Sequence, residues 1–190
     1  MLPLKEAIAE KHSLAEKMTF NQRMFRGELS KEEYTLYLCQ QMGIFDAIER
    51  FELPHPSLNR VSNVLADIKE LVGAGENEGV QIALLDSAKQ YRKYLSELTQ
   101  EELLPHIYLN YMAIMFGGQM MKKNVPGAGK MYEFDGDMRE IAGSIRAIQK
   151  DEWADEANKA LDYNINIFDE LQRVSESASI EAEGDGGESA

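Results

Sequence analysis

A chain of 190 residues with 44% hydrophobic side chains is long enough to bury one substantial core and short enough to need only one. Its 20 Lys and Arg against 33 Asp and Glu leave a net charge of −13, which argues against nucleic acid as a partner, because phosphate binding needs a basic surface. A single cysteine, Cys39, excludes an internal disulfide and any site built from several thiolates.

Apolar residues recur at spacings of three and four, the period of helices, so an all-α, single-domain bundle is expected. Leu4, Ile8 and Leu14 begin the pattern. Ser30-Lys31-Glu32-Glu33 is a capping box, and the helix it opens carries Tyr34, Tyr37, Leu38, Met42, Phe45 and Ile48 on one side, with Cys39 as a core residue. Leu53-Pro54-His55-Pro56 breaks it. A third helix is expected from Val61 to Val72, ended by Gly73-Ala74-Gly75, and a fourth from about Val80 to Leu98. Pro105 is expected in the first turn of a long helix reaching about Asn124, followed by a loop at Pro126-Gly127-Ala128-Gly129. Asp137 opens a short helix to about Gln149, and a last helix spans Asp151 to about Val174.

Residues 176–190 hold five acidic side chains, no basic one and one large apolar one, too little to offset the entropy of ordering. The domain is therefore expected over 1–175, with a disordered acidic tail over 176–190. No apolar run approaches the ~20 residues of a membrane span. The N-terminus carries charge from Lys5 onward and has no signal-peptide core, so a cytoplasmic monomer without membrane contact is expected.

Three histidines, His12, His55 and His106, are too scattered for a zinc or di-iron site. If a metal is bound, a cofactor needing one protein ligand, such as haem, suits them better; otherwise they are surface or hydrogen-bonded residues, as a lone helical His more often is. Gly117 and Gly118 stand together inside a helical pattern, where each costs about 1 kcal/mol relative to Ala. They make either a kink or a place where something flat approaches the backbone. Tyr108, Tyr111, Met112, Met115 and Phe116 surround them in sequence and equally suit a core stripe.

Taken together, these segments resemble the haem oxygenase family. Lys5-Glu6-Ala7 followed by Glu10-Lys11-His12 and Ala15-Glu16 is similar to its first helix. His106-Ile107-Tyr108-Leu109-Asn110-Tyr111, then Gly117-Gly118-Gln119-Met120-Met121-Lys122-Lys123, is similar to its distal helix. Met131-Tyr132-Glu133-Phe134 resembles the aromatic segment beyond, and Glu156-Ala157-Asn158 with Asn164, Phe168 and Glu170-Leu171 the last helix. The resemblance implies that haem is both cofactor and substrate, cleaved to biliverdin, CO and iron with O2 and electrons from a donor such as ferredoxin or a reductase. It makes His12 the iron ligand and Glu16 the group that orients it. It sets Lys5 and Tyr108 on a propionate, with Arg146 ahead of Arg139 and Lys150 on the other end. It makes Gly117 and Gly118 the distal wall, and leaves Tyr111, Asn164 and Gln119 as polar anchors.

The chain departs from the family at the distal water network. Ala113 and Ile114 stand where many members have Gly-Asp, Asn110 where an arginine is common, and Phe45 where a tyrosine often occurs. An isoleucine accepts no hydrogen bond. A haem-binding protein of the same fold with little turnover is the alternative, and a thiaminase-like enzyme of the wider helical superfamily a more distant one.

Overall fold

A computed structural model describes residues 1–185. It is all-helical, with no strand among the described residues. The first helix is segmented into α1 (Leu4–Ala7), α2 (Ala9–Lys17) and α3 (Thr19–Phe25). At Met18 the backbone turns extended, with φ −57° and ψ 135°, and the chain bends. α2 buries only Ala15, so it lies on the surface of the bundle. The amide of Leu4 donates to Asp151 Oδ1 at 2.8 Å and ties this arm to the turn at Asp151–Trp153.

α4 (Lys31–Ile48) begins at the expected capping box: Glu33 N donates to Ser30 Oγ at 3.1 Å, and Ser30 N to Glu33 Oε2 at 2.8 Å. α4 runs through the centre, and Tyr34, Leu38, Ile44, Phe45 and Ile48 along it are all at most 1% exposed. Cys39 is buried with them, as expected. α5 (Val61–Val72) ends at Gly73, whose φ of 70° is the left-handed conformation a helix stop demands.

The helix expected from Val80 begins only at Asp86. Val80, Ile82 and Leu84 are half-buried and alternate with exposed residues, so 80–85 is an extended pass over α4. The buried Gln40 side chain holds it, donating to the Ala83 carbonyl at 2.9 Å and accepting from the Leu85 amide at 2.8 Å. α6 (Asp86–Glu97) follows. α7 (Gln100–Met112) starts at a second capping box, Thr99 with Glu102. Pro105 therefore sits within the helix rather than in its first turn.

A π-helical turn over Ala113–Gly117 links α7 to α8 (Gly118–Met121). α9 (Met138–Ile148) starts at Asp137, whose side chain caps the Arg139 amide at 2.7 Å. α10 (Ala154–Asp185) packs on α2, α3, α4, α6 and α7. It continues well into the segment expected to be a disordered tail. Ser175 is buried, and residues 176–183 beyond it are exposed. The expectation for 186–190 lies outside the described residues. No described helix is long and apolar enough to cross a membrane.

Candidate functional site

His12 lies on α2 with its side chain 51% exposed, and its Nε2 has no protein partner among the described residues. Glu16, one turn on, brings Oε1 to 3.6 Å from His12 Nδ1. The other histidines are placed differently. His106 is fully buried with both ring nitrogens engaged, and His55 Nδ1 accepts the Ser57 amide at 3.2 Å. Lys5 is exposed on α1, seven residues before His12, which is about two helical turns.

Because α3 continues α2 and touches α8, the His12 arm returns to the glycine helix. Asn124 Nδ2 donates to the Phe25 carbonyl at 2.6 Å across that contact. The two glycines differ. A Cβ on Gly117 would meet nothing within 4 Å, whereas one on Gly118 would lie 2.3 Å from Cδ1 of Tyr132. Gly118 thus makes room for a buried aromatic ring of the protein, and only Gly117 opens onto free space. Gln119, expected as a polar anchor, instead donates to the Tyr132 carbonyl at 2.8 Å and fastens the same contact. Near Gly117 in sequence, Phe116 is 51% and Met120 59% exposed, apolar surface with no protein cover.

Arg146 joins this face. Its guanidinium lies over the Phe116 ring at 5.1 Å. Burial pushes the Tyr108 phenol up, and the Arg146 charge pulls it partly back. Tyr108, Phe116 and Arg146 therefore share one region. Lys150 is paired with Glu101 at 3.5 Å.

Tyr111 and Asn164 are not brought together. Tyr111 is fully buried, edge-on to Phe45 at 5.2 Å, and its hydroxyl reaches Glu49 Oε1 at 3.5 Å. Burial pushes the Glu49 carboxyl up, against hydrogen bonds from the Arg60 and Val61 amides. Arg60, 3% exposed, donates from its side chain to the Leu58 carbonyl at 3.1 Å and that of Met131 at 3.0 Å. Ile114 is buried as well, so the position where many haem oxygenases carry aspartate adds to the core.

Asn164, half-buried on α10, donates to Asn110 Oδ1 at 3.3 Å and to the Ala160 carbonyl at 2.9 Å. Asn110 leads into a polar cluster that the sequence reading did not assign: Tyr91 on α6, His106 on α7, and Glu156 on α10, with Tyr94 and Lys159 at its rim. The spacing of His106 and Asn110, one turn apart, was a visible sign, but their partners come from helices remote in sequence. Burial holds His106 below its ordinary pKa despite the nearby carboxylate, so the ring is neutral. Burial raises Glu156 too, but hydrogen bonds from Tyr94, His106 and Lys159 outweigh it and hold the carboxyl ionised below its usual range.

Comparison with known proteins points to one family and one fold. The Heme oxygenase family model matches residues 2–170. Heme oxygenase 2 of Mus musculus is 27% identical over 218 residues, covering 96% of this chain and 69% of the relative. Heme oxygenase 1 of Synechocystis is 26% identical over 199 residues, covering 89% and 83%. In fold, the chain is similar to the crystal structure of Synechocystis heme oxygenase-1 in complex with heme, with TM-score 0.79 at 22% identity over 96% of each chain. Synechocystis heme oxygenase-2 in complex with heme and NO gives TM-score 0.77 at 22% identity, over 92% and 86%. A family match over residues 2–170, on a like fold, places this protein in the haem oxygenase family.

Proposed function

We propose that this protein is a haem oxygenase that opens haem to biliverdin, CO and iron. The observations that carry the reading are a solvent-open His12 imidazole, backed by Glu16, on an arm whose α3 touches α8, and open space at Gly117 in the turn that immediately precedes α8. The residues fit the group. His12 offers a free Nε2, Phe116 and Met120 offer uncovered apolar surface for a macrocycle, and Arg146 and Tyr108 offer a cation and a hydroxyl for a carboxylate edge. Bound haem supplies both the iron at which O2 is reduced and the carbon that is oxidised.

The protein's part is to hold and to steer. Glu16 sets the orientation of the His12 ring from its Nδ1 side. Lys5 and Arg146 would each hold a carboxylate of the group and so fix how it sits on the bundle. The exposed apolar residues keep bulk water off the reacting face once covered. Asn164 provides a polar group inside the bundle, and Tyr111 braces the helix below through Glu49 and Phe45. Electrons come from a separate donor, ferredoxin or a reductase, and the protein works as a cytoplasmic monomer.

The test is a haem titration of wild type and His12→Ala, followed by reductant under air. Wild type is expected to give a Soret band and then a bilin spectrum. His12→Ala is expected to lose the normal Soret band, because His106 is fully engaged in the core. An unchanged spectrum in the variant removes His12 as ligand. Stable haem in wild type with every donor tried favours the haem-binding alternative, which the loss of the distal aspartate at Ile114 motivates.

A further inference from the structure

The buried cluster around His106 has a direction. Lys159 Nζ donates to Glu156 Oε2 at 3.1 Å and to the Tyr94 hydroxyl at 2.8 Å, and Tyr94 in turn donates to Glu156. An ionised carboxylate only accepts, so His106 must present Nε2–H to Glu156 Oε1 at 2.9 Å. In the neutral ring Nδ1 is then bare, and Tyr91 must donate to it at 2.8 Å. The Tyr91 oxygen is left to accept, and Asn110 Nδ2 donates to it at 3.0 Å and to the His106 carbonyl at 2.9 Å. That leaves Asn110 Oδ1 as the acceptor for Asn164 Nδ2. The Ala160 carbonyl accepts from the same nitrogen, so the Asn164 amide cannot turn over without losing both bonds. The string ends on Asn164 Oδ1, an acceptor with no protein partner among the described residues.

Asn110, the link before the string's end, lies on the helix that runs into the glycine segment of the proposed haem face. Asn110, buried near the end of α7, is three residues before Ala113, the exposed first residue of the π-helical turn that carries Gly117. Asn164 stands one turn before Phe168, whose ring lies parallel to that of Tyr37 of α4, 6.3 Å away. Other ionisable groups near the string are Tyr94 and Lys159 at its rim and Tyr163, stacked on Tyr91 at 4.6 Å.

Resting on the haem oxygenase reading, we infer that Glu156, through His106, Tyr91 and Asn110, locks Asn164 Oδ1 outward as the acceptor for a water beside the haem. That task falls to an aspartate in many haem oxygenases, where this chain has Ile114. His106 and Glu156 are positioning residues in this scheme, since neither faces the reacting atoms.

The experiment compares wild type, Glu156→Gln and Glu156→Asp. In haem-free, 15N-labelled protein, wild type should show a neutral His106 ring protonated at Nε2. Glu156→Gln, which can offer the ring a donor instead of an acceptor, should displace the side-chain amide signals of Asn110 and Asn164. With haem, Glu156→Gln should keep wild-type affinity while bilin formation slows roughly tenfold, the size of a second-layer effect, with an altered pH profile. Glu156→Asp keeps the carboxylate and should restore the amide signals and much of the rate. Undisturbed Asn164 signals in Glu156→Gln overturn the inference, as does a displaced amide with an unchanged rate and pH profile. A wild type that gives no bilin, yet whose amides respond as described, overturns the haem oxygenase reading and leaves the locked string standing.

Discussion

At the scale of single residues, two neighbouring glycines are separable. Gly118→Ala drives a Cβ to 2.3 Å from the buried Tyr132 ring, and overpacking of this kind costs about 1–3 kcal/mol. At this chain length that lowers Tm by roughly 2–4 °C per kcal/mol, read by thermal denaturation. Gly117→Ala meets no neighbour and gains up to about 1 kcal/mol of helix propensity. It should melt no lower than wild type while binding haem more weakly in a Soret titration. His106 adds a pH dependence. Burial depresses its pKa from the ordinary 6.5, so the unfolded chain takes up a proton that the folded protein refuses. The neutral ring's contribution is complete above that value and drains as pH falls below it. Glu156, held below its ordinary 4.5, adds a loss of the same sign at still lower pH. Tm should therefore fall on acidification from about pH 7 to pH 5, and His106→Leu should flatten that slope while lowering Tm overall.

At the scale of elements, caps were legible because they are local. Ser30 with Glu33 announces α4 in four letters, and the structure keeps both bonds. The segment before α6 was not legible. Val80, Leu84 and Leu85 suit a helical period, while Val80, Ile82 and Leu84 suit an alternating one, and Gln40 from another helix decides between them. Gln40→Ala should release that segment. Stranding the Leu85 amide and the Ala83 carbonyl costs about 1–3 kcal/mol, and amide exchange at Leu85 should accelerate well beyond that of Leu95 in the core. The segmentation of the first helix was hidden for another reason. α2 buries so little that apolar spacing hardly marks it.

At the scale of the whole molecule, an all-helical bundle followed from periodicity alone, and the family followed from four segments in order. The residues proposed for haem contact were legible through that resemblance, as motifs on two helices. The string from Glu156 to Asn164 was not, since α6, α7 and α10 each contribute to it and no spacing in one stretch encodes a meeting of three. The end of α10 makes a prediction at this scale. Past Ser175, residues 176–183 are all exposed, so a chain ending at Glu176 should keep the haem affinity and Tm of the full protein. A large drop in either would mean that the acidic segment folds back on the bundle.

The unequal surroundings of Gly117 and Gly118 set them under unrelated selection. A descendant that abandoned its pigment would be free to accumulate side chains at 117, yet would still be obliged to keep 118 bare for the sake of Tyr132. In related sequences a lost first glycine beside a retained second would therefore mark the lineages in which the ligand, and not the fold, has been given up.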